Sequence, residues 1–277
     1  MRICLFVFAS LFSAFLFAAP DNAQEKGASN TVSENTQQHS NEDALAISQA
    51  AIGKTVGHYR FTLPTGEVIN SQKFLGKPLI ISLIYTSCYH ICPTTTQNLN
   101  RVVQKARDVL GKDSFNVLTI GFDTPQDTPE AMAYFSEQHS TAVDNWFFLS
   151  TDAATMTALT RDLGFIYTPS PHGFDHLIQA SILDNNGVVY RQVYGMQPKT
   201  PHFVEPIKEL VFGEPIDDSL FSAFTSKVKL FCTVYDPAQD RYYFNYSIFA
   251  GGIVGLLLGG FFIFAFIREW RHSSHVK

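Results

Sequence analysis

The chain has 277 residues, 45% of them hydrophobic and 16% charged, with a formal net charge of −5. That length leaves room for one domain of ordinary size beside two terminal apolar segments. The acidic balance offers no basic footprint, so nucleic acid is not an expected partner.

Met1-Arg2 followed by the apolar run Ile3 to Ala19 has the charge, apolar core and small residues of a secretory signal, expected over residues 1–19. Bulky residues precede Ala18 and Ala19, which leaves an uncleaved anchor as the other reading; cleavage would remove Cys4. Residues 20–50 are expected as a disordered linker. From Pro20 to about Asn41 the chain is rich in Asn, Gln, Ser, Glu and Thr and nearly free of large apolar residues.

Residues 51–213 carry the punctuation of an α/β domain. Tyr59 to Leu63 and Glu67 to Asn70, split by Pro64-Thr65-Gly66, predict a hairpin. Pro78 to Tyr85 is nearly continuous in apolar residues, as a central strand is. Leu99, Val102, Val103, Ala106, Val109 and Leu110 recur at helical spacing, and Gly111 ends that helix. Phe115 to Phe122 is the next strand, and one helical crossover implies parallel pairing. A helix over Glu130 to His139, a short strand over Trp146 to Leu149 and a helix over Ala153 to Leu163 follow. Leu177 to Leu183 and Val188 to Tyr194 flank Asp184-Asn185-Asn186-Gly187, a hairpin turn signal. Phe203 to Phe212 makes a last helix.

Residues 214–246 form a juxtamembrane segment. The run Ser247 to Ile267 is uncharged and long enough to span a bilayer. Tyr242, Tyr243 and Tyr246 precede it; Arg268, Arg271 and Lys277, in the tail 268–277, follow it. Positive residues stay on the cytoplasmic side, so the domain is expected on the far side, in a bacterium the periplasm, tethered to the inner membrane by its C-terminus. Gly251, Gly255 and Gly259 place small residues at four-residue intervals, a spacing that lets a second helix approach.

The chemistry concentrates in Tyr85-Thr86-Ser87-Cys88-Tyr89-His90-Ile91-Cys92-Pro93, where the apolar strand gives way to a helix. Thiolate is both the nucleophile of disulfide exchange and a ligand for soft metals. The redox motif of thioredoxin-like enzymes separates its thiols by two residues; here three intervene. Residues four apart share a helical face, so both sulfurs can point at one ion, and the same geometry can close a disulfide. Pro93 fits the first helical position, and the helix N-terminus favours thiolate.

Several motifs together resemble the SCO/SenC family, which delivers copper to cytochrome c oxidase. They are Gly76-Lys77-Pro78 before the central strand, Thr86-Ser87-Cys88 to Cys92-Pro93, Gly121-Phe122-Asp123 followed by Asp127-Thr128-Pro129, and Asp175-His176. The resemblance covers roughly Val56 to Phe212. It implies a thioredoxin-like α/β fold with an inserted N-terminal hairpin, to which this chain adds a C-terminal transmembrane helix. It also places Cys88, Cys92 and His176 on three copper ligands, with Cys88 and Cys92 able to form a redox disulfide. Two thiolates and an imidazole suit Cu(I) and tolerate Cu(II).

The implied role is a copper chaperone rather than an enzyme. Its expected partners are the membrane, an oxidase subunit carrying a copper centre, and a thioredoxin-like reductant or another copper carrier. The rival reading is a thiol-disulfide reductase that keeps a partner's copper-site cysteines reduced. A peroxidase of related fold would need an Arg beside a lone thiolate, and none is near Cys88 in sequence. Secondary candidates are His90 and His172 as further ligands and Asp175 as an acceptor orienting His176. Asp123 reads as a strand-end residue, and Cys232, the odd thiol, as a packing residue.

Overall fold

A computed structural model of the chain describes residues 41–139, 144–213 and 233–273. The expected signal segment, residues 20–40, Cys4, Cys232 and the last four residues lie outside this range.

Two strands buried along their whole length form the centre of the domain: β3, Leu79–Ile84, and β4, Asn116–Gly121. They pair in parallel, with Ile84 opposite Gly121, because helix α2, Ile91–Leu110, crosses over between them. Strand β5, Trp146–Leu149, joins β4 in parallel after helix α3, Pro129–His139. Helix α4, Ala153–Leu163, comes next. On the other flank β8, Gln179–Leu183, runs antiparallel to β3, and β9, Val189–Tyr194, antiparallel to β8. The sheet order is β5-β4-β3-β8-β9, the thioredoxin-like order expected. The inserted hairpin is β1, Arg60–Thr62, with β2, Val68–Asn70.

Helix α2 buries Leu99, Val102, Val103, Ala106 and Leu110 along one stripe. Each fully buried Leu or Val there is worth about 1.5–3 kcal/mol. The helix ends where the Gly111 N–H donates to the Arg107 carbonyl. It begins at Ile91, so Pro93 is its third residue, not its first. The missing N–H still falls in the first turn, where no intrahelical acceptor exists.

Three further differences from the sequence reading have local causes. Residues 41–49, inside the expected linker, form helix α1. Ser48 and Ala51, both buried, bring this region against Gly164, whose φ is 62° and where a Cβ would lie 2.6 Å from the Ile47 carbonyl oxygen. Second, the stretch before β8 holds a hairpin, β6, Tyr167–Ser170, with β7, Gly173–His176. Third, the last domain helix, α5, runs Thr200–Gly213, starting three residues early because Pro201 suits a first turn.

Beyond the domain, β10, Thr233–Asp236, and β11, Arg241–Phe244, form another antiparallel hairpin. Asp240 in its turn pairs with Lys105 of α2 and accepts hydrogen bonds from the hydroxyls of Thr200 (2.6 Å) and Tyr235 (2.8 Å). Two residues later, Tyr242 is buried in the core. Helix α6, Ser247–Ser273, follows directly; its stretch Phe249–Arg268 is long and apolar enough to cross a membrane, and none of it is buried. Burial alone would raise the Asp240 carboxyl, but hydrogen bonds from Lys105, Thr200 and Tyr235 bring it down to about 2. Asp240→Ala is therefore expected to speed amide exchange across β10 and β11 at pH 7 while exchange in β3 and β4 stays unchanged. Equal acceleration in the central strands would mean that the hairpin is part of the cooperative core.

Candidate metal centre

The site lies at the carboxyl ends of β3 and β4, where open α/β sheets place ligands. After Ile84 the chain turns through Tyr85 to His90, and the Cys88 N–H donates to the Tyr85 carbonyl at 3.2 Å. The turn aims Cys88 at the start of α2. Its Sγ accepts the Cys92 backbone N–H at 3.3 Å, the role a Ser or Asp side chain usually takes at a helix N-terminus. His90, the residue preceding the helix, makes no side-chain cap bond.

This environment separates the proton affinities of the two sulfurs. A hydrogen bond from the Cys92 thiol, opposed by burial and helped by the Cys92 and His90 backbone N–H groups and the Tyr85 hydroxyl, brings Cys88 down to about 4. Cys92 is pushed well up by that same hydrogen bond and by its burial. Tyr85, buried and bonded to Cys88, is pushed up to about 12 and stays a donor. Of the two sulfurs Cys88 is therefore the one favoured as thiolate, with Cys92 keeping its proton as the donor between them. One test is the pH profile of alkylation by iodoacetamide. Modification at Cys88 should be nearly flat from pH 6 to 8 and fall as pH drops through about 4, with Cys92 slower throughout. A rate rising tenfold per unit up to pH 8 would contradict the thiolate assignment.

His176 ends β7, opposite Tyr167. Its ring packs among Phe165 (5.3 Å between centroids), Phe122 (5.5 Å) and Tyr85 (6.2 Å). Nδ1 lies 2.8 Å from the Leu177 carbonyl oxygen. A carbonyl only accepts, so Nδ1 carries the hydrogen and the neutral ring keeps its lone pair on Nε2, ready for a metal. His176 and Cys92 line one cavity between α2 and the β8–β9 end of the sheet. Among the described residues no three His, Cys, Asp or Glu side chains are gathered closely enough to hold an ion. The two sulfurs are together, and His176 stands back from them.

The secondary candidates separate clearly. Asp175 is exposed on the face of β7 opposite His176, and the Leu177 carbonyl takes the orienting role expected of it. His90 and His172 are exposed. Asp123 donates its backbone N–H to Asp127 at 2.8 Å, in keeping with a structural strand-end residue.

Sequence reasoning left Asp127 without a role. Its carboxylate, 1% exposed, accepts the Thr86 N–H and hydroxyl, both at 2.7 Å, beside the Asp123 N–H. It thus ties the end of β3, just before Cys88, to the end of β4. A Cβ at Gly121 would lie 2.3 Å from that of Asp127. Gly173 is constrained likewise: at φ 119° its backbone passes so close to Tyr85 that a Cβ would meet the hydroxyl at 2.6 Å.

Over residues 48–211 the sequence matches the SCO1/SenC family. This chain belongs to that family. Among SCO1/SenC relatives, the human Protein SCO1 homolog, mitochondrial, is 26% identical over 144 residues, 51% of this chain and 46% of that protein. The chain spans less than half the length of the curated relatives it matches. A putative electron transfer protein from Aquifex aeolicus has the same fold, at 24% identity and a TM-score of 0.54, with 61% of this chain and 99% of that one covered. Family structures have been solved with copper bound, among them ScoI of Bradyrhizobium japonicum, at 21% identity, TM-score 0.48, and coverage of 56% and 99%.

Proposed function

We propose that this chain is a membrane-tethered copper chaperone that carries one copper ion on Cys88, Cys92 and His176 for assembly of a respiratory cytochrome c oxidase. The observation that carries this reading is the donor set: two cysteine sulfurs brought together at the start of α2, where Cys88 Sγ accepts the Cys92 N–H, and an imidazole with a free Nε2 lining the same cavity as Cys92. Two sulfurs and one imidazole are a soft set suited to Cu(I) and tolerant of Cu(II).

Copper is the cargo. Cys88 is ready to take it without losing a proton; Cys92 gives up its thiol proton as it ligates, since the metal competes with that proton. His176 would complete the set through Nε2, with its Nδ1–H held by the Leu177 carbonyl. Three strong protein ligands leave one coordination position that a weaker donor or the acceptor can take. A disulfide between Cys88 and Cys92 would remove both sulfurs from coordination, so loading needs a reductant, such as a thioredoxin-like protein.

The charge asymmetry around α6 supports an inner-membrane protein with its domain in the periplasm and its C-terminus in the cytoplasm. Its partners would be an oxidase subunit carrying a copper centre and the source of its copper.

One observation favours the reductase as a second reading. The contrast between a low-affinity Cys88 proton and a high-affinity Cys92 proton also suits disulfide exchange. Oxidase assembly in cells lacking the chain, at limiting copper, separates the two. The chaperone reading expects a membrane-permeant dithiol to leave the defect in place and added copper to relieve it. The reverse pattern would favour the reductase.

A further inference from the structure

We propose that Met196 is an additional soft donor of this site, a thioether that engages copper in its reduced state. This inference rests on the copper reading above and concerns which valence the site holds. Met196 lines the same cavity as Cys92 and His176, and Cys92 and Met196 are the sulfur-bearing residues of that wall. The rest of the polar lining is oxygen and amide nitrogen, from Ser82, Thr95, Asn98 and Gln179.

The position of Met196 follows from backbone pairing. Gln179 pairs with Tyr194 at the end of the β8–β9 ladder. The Gly195 N–H extends that ladder by donating to the Ile178 carbonyl at 2.9 Å. Gly195 then turns with φ 98°, and Met196 leaves the ladder beside the Leu177–Ile178 segment that follows His176. The residue after the turn is therefore fixed next to the imidazole-bearing segment, and it is half-buried.

The chemistry discriminates between valences. A thioether is neutral, soft and never needs deprotonation, so it favours Cu(I) and adds little for Cu(II). Cys88, Cys92 and His176 serve both states; Met196 would bias the set towards the reduced one. The competing role is gap-filling, for which Met is well suited and Leu is a volume-conserving replacement.

The test uses the reduced full-length chain in detergent, parent against Met196→Leu. Cu(I) is titrated in competition with a chromophoric Cu(I) chelator, and Cu(II) binding is followed by its visible and electron paramagnetic resonance spectra. The expected result is a loss of Cu(I) affinity of about tenfold or more, with the Cu(II) spectrum and stoichiometry unchanged and the potential of the bound couple lowered. With selenomethionine in place of methionine, copper scattering at the selenium edge should appear in the Cu(I)-loaded parent and vanish in the variant. Unchanged Cu(I) affinity, or equal loss of both valences, would overturn the proposal and leave Met196 a packing residue. A parent that binds neither valence would instead sink the copper reading on which the proposal rests.

Discussion

His176→Ala is expected to keep a reversible Cys88–Cys92 disulfide and to lose stable copper. Disulfide exchange needs only the two sulfurs, a thiolate fraction and access, and His176 contributes to none of these. Its ring packs against Phe122, Phe165 and Tyr85, and among the described residues its polar bond is to the adjacent Leu177 carbonyl. Copper binding, in contrast, loses a ligand. Even the outer hydrogen-bonding partners of metal ligands are worth about 10–100-fold in affinity, so removing the imidazole should cost at least the upper end of that range. Oxidase assembly should fail with the thiols fully reduced. The truncation also opens a hole among the aromatic rings, so His176→Phe, which fills that space without a donor, is the necessary companion. If either variant supports full oxidase assembly at limiting copper, the dithiol is the working part and the chain is a reductase.

Asp127→Ala should be the most damaging single change outside the cysteines. It leaves the Thr86 N–H and hydroxyl and the Asp123 N–H, all half-buried, without their acceptor, and each such group costs about 1 kcal/mol, the lower end of the range for buried unsatisfied groups. A loss of about 3 kcal/mol is expected, corresponding to roughly 10 °C in Tm for a domain of this size. Because Thr86 lies two residues before Cys88, the turn that aims the thiolate should loosen as well. Burial pushes Asp127 up to about 6 against the pull of its hydrogen bonds. Its folded pKa is thus above the unfolded value, so its contribution is fully present below about pH 4 and is lost as pH rises through about 6. The size is at most about 3 kcal/mol. Cys88 has the opposite slope over part of this range, so the measurement is a difference. Denaturant midpoints from pH 4 to 7 should show the parent losing stability relative to Asp127→Asn as pH rises. Parallel curves would contradict the assignment.

The parts of the fold legible in the sequence were those specified by local pattern. β3 could be read from an unbroken apolar run, α2 from its buried stripe and terminal glycine, and the β8–β9 hairpin from Asp184 to Gly187. In that turn the Asp184 carboxylate accepts the Asn186 and Val188 N–H groups. The β6–β7 hairpin was not legible. Pro169, Ser170 and Pro171 break any alternation, and β7 is held from outside by Phe174 packing on Tyr85 (5.2 Å) and Phe122 (5.3 Å). Helix α1 was masked by its polar surroundings, since its docking depends on small residues meeting Gly164. At the candidate site the cysteine pair was plain from its place between strand and helix. His176 came from family resemblance, and its aromatic surroundings and the Leu177 carbonyl are tertiary features with no sequence signature. Asp127 stood in the sequence only as part of a family motif, with no role of its own, because its three donors come from segments up to 41 residues away in the chain.

The most direct test of the copper reading is a titration of the full-length chain in detergent with copper, in the dithiol and the disulfide forms, followed by alkylation of free thiols and mapping of the modified residues. The expected result is one tightly bound copper in the dithiol form, with Cys88 and Cys92 both protected from alkylation, and none in the disulfide form. Equal copper in both forms, or copper retained after Cys88 and Cys92 have been alkylated, would place the ion elsewhere and contradict it.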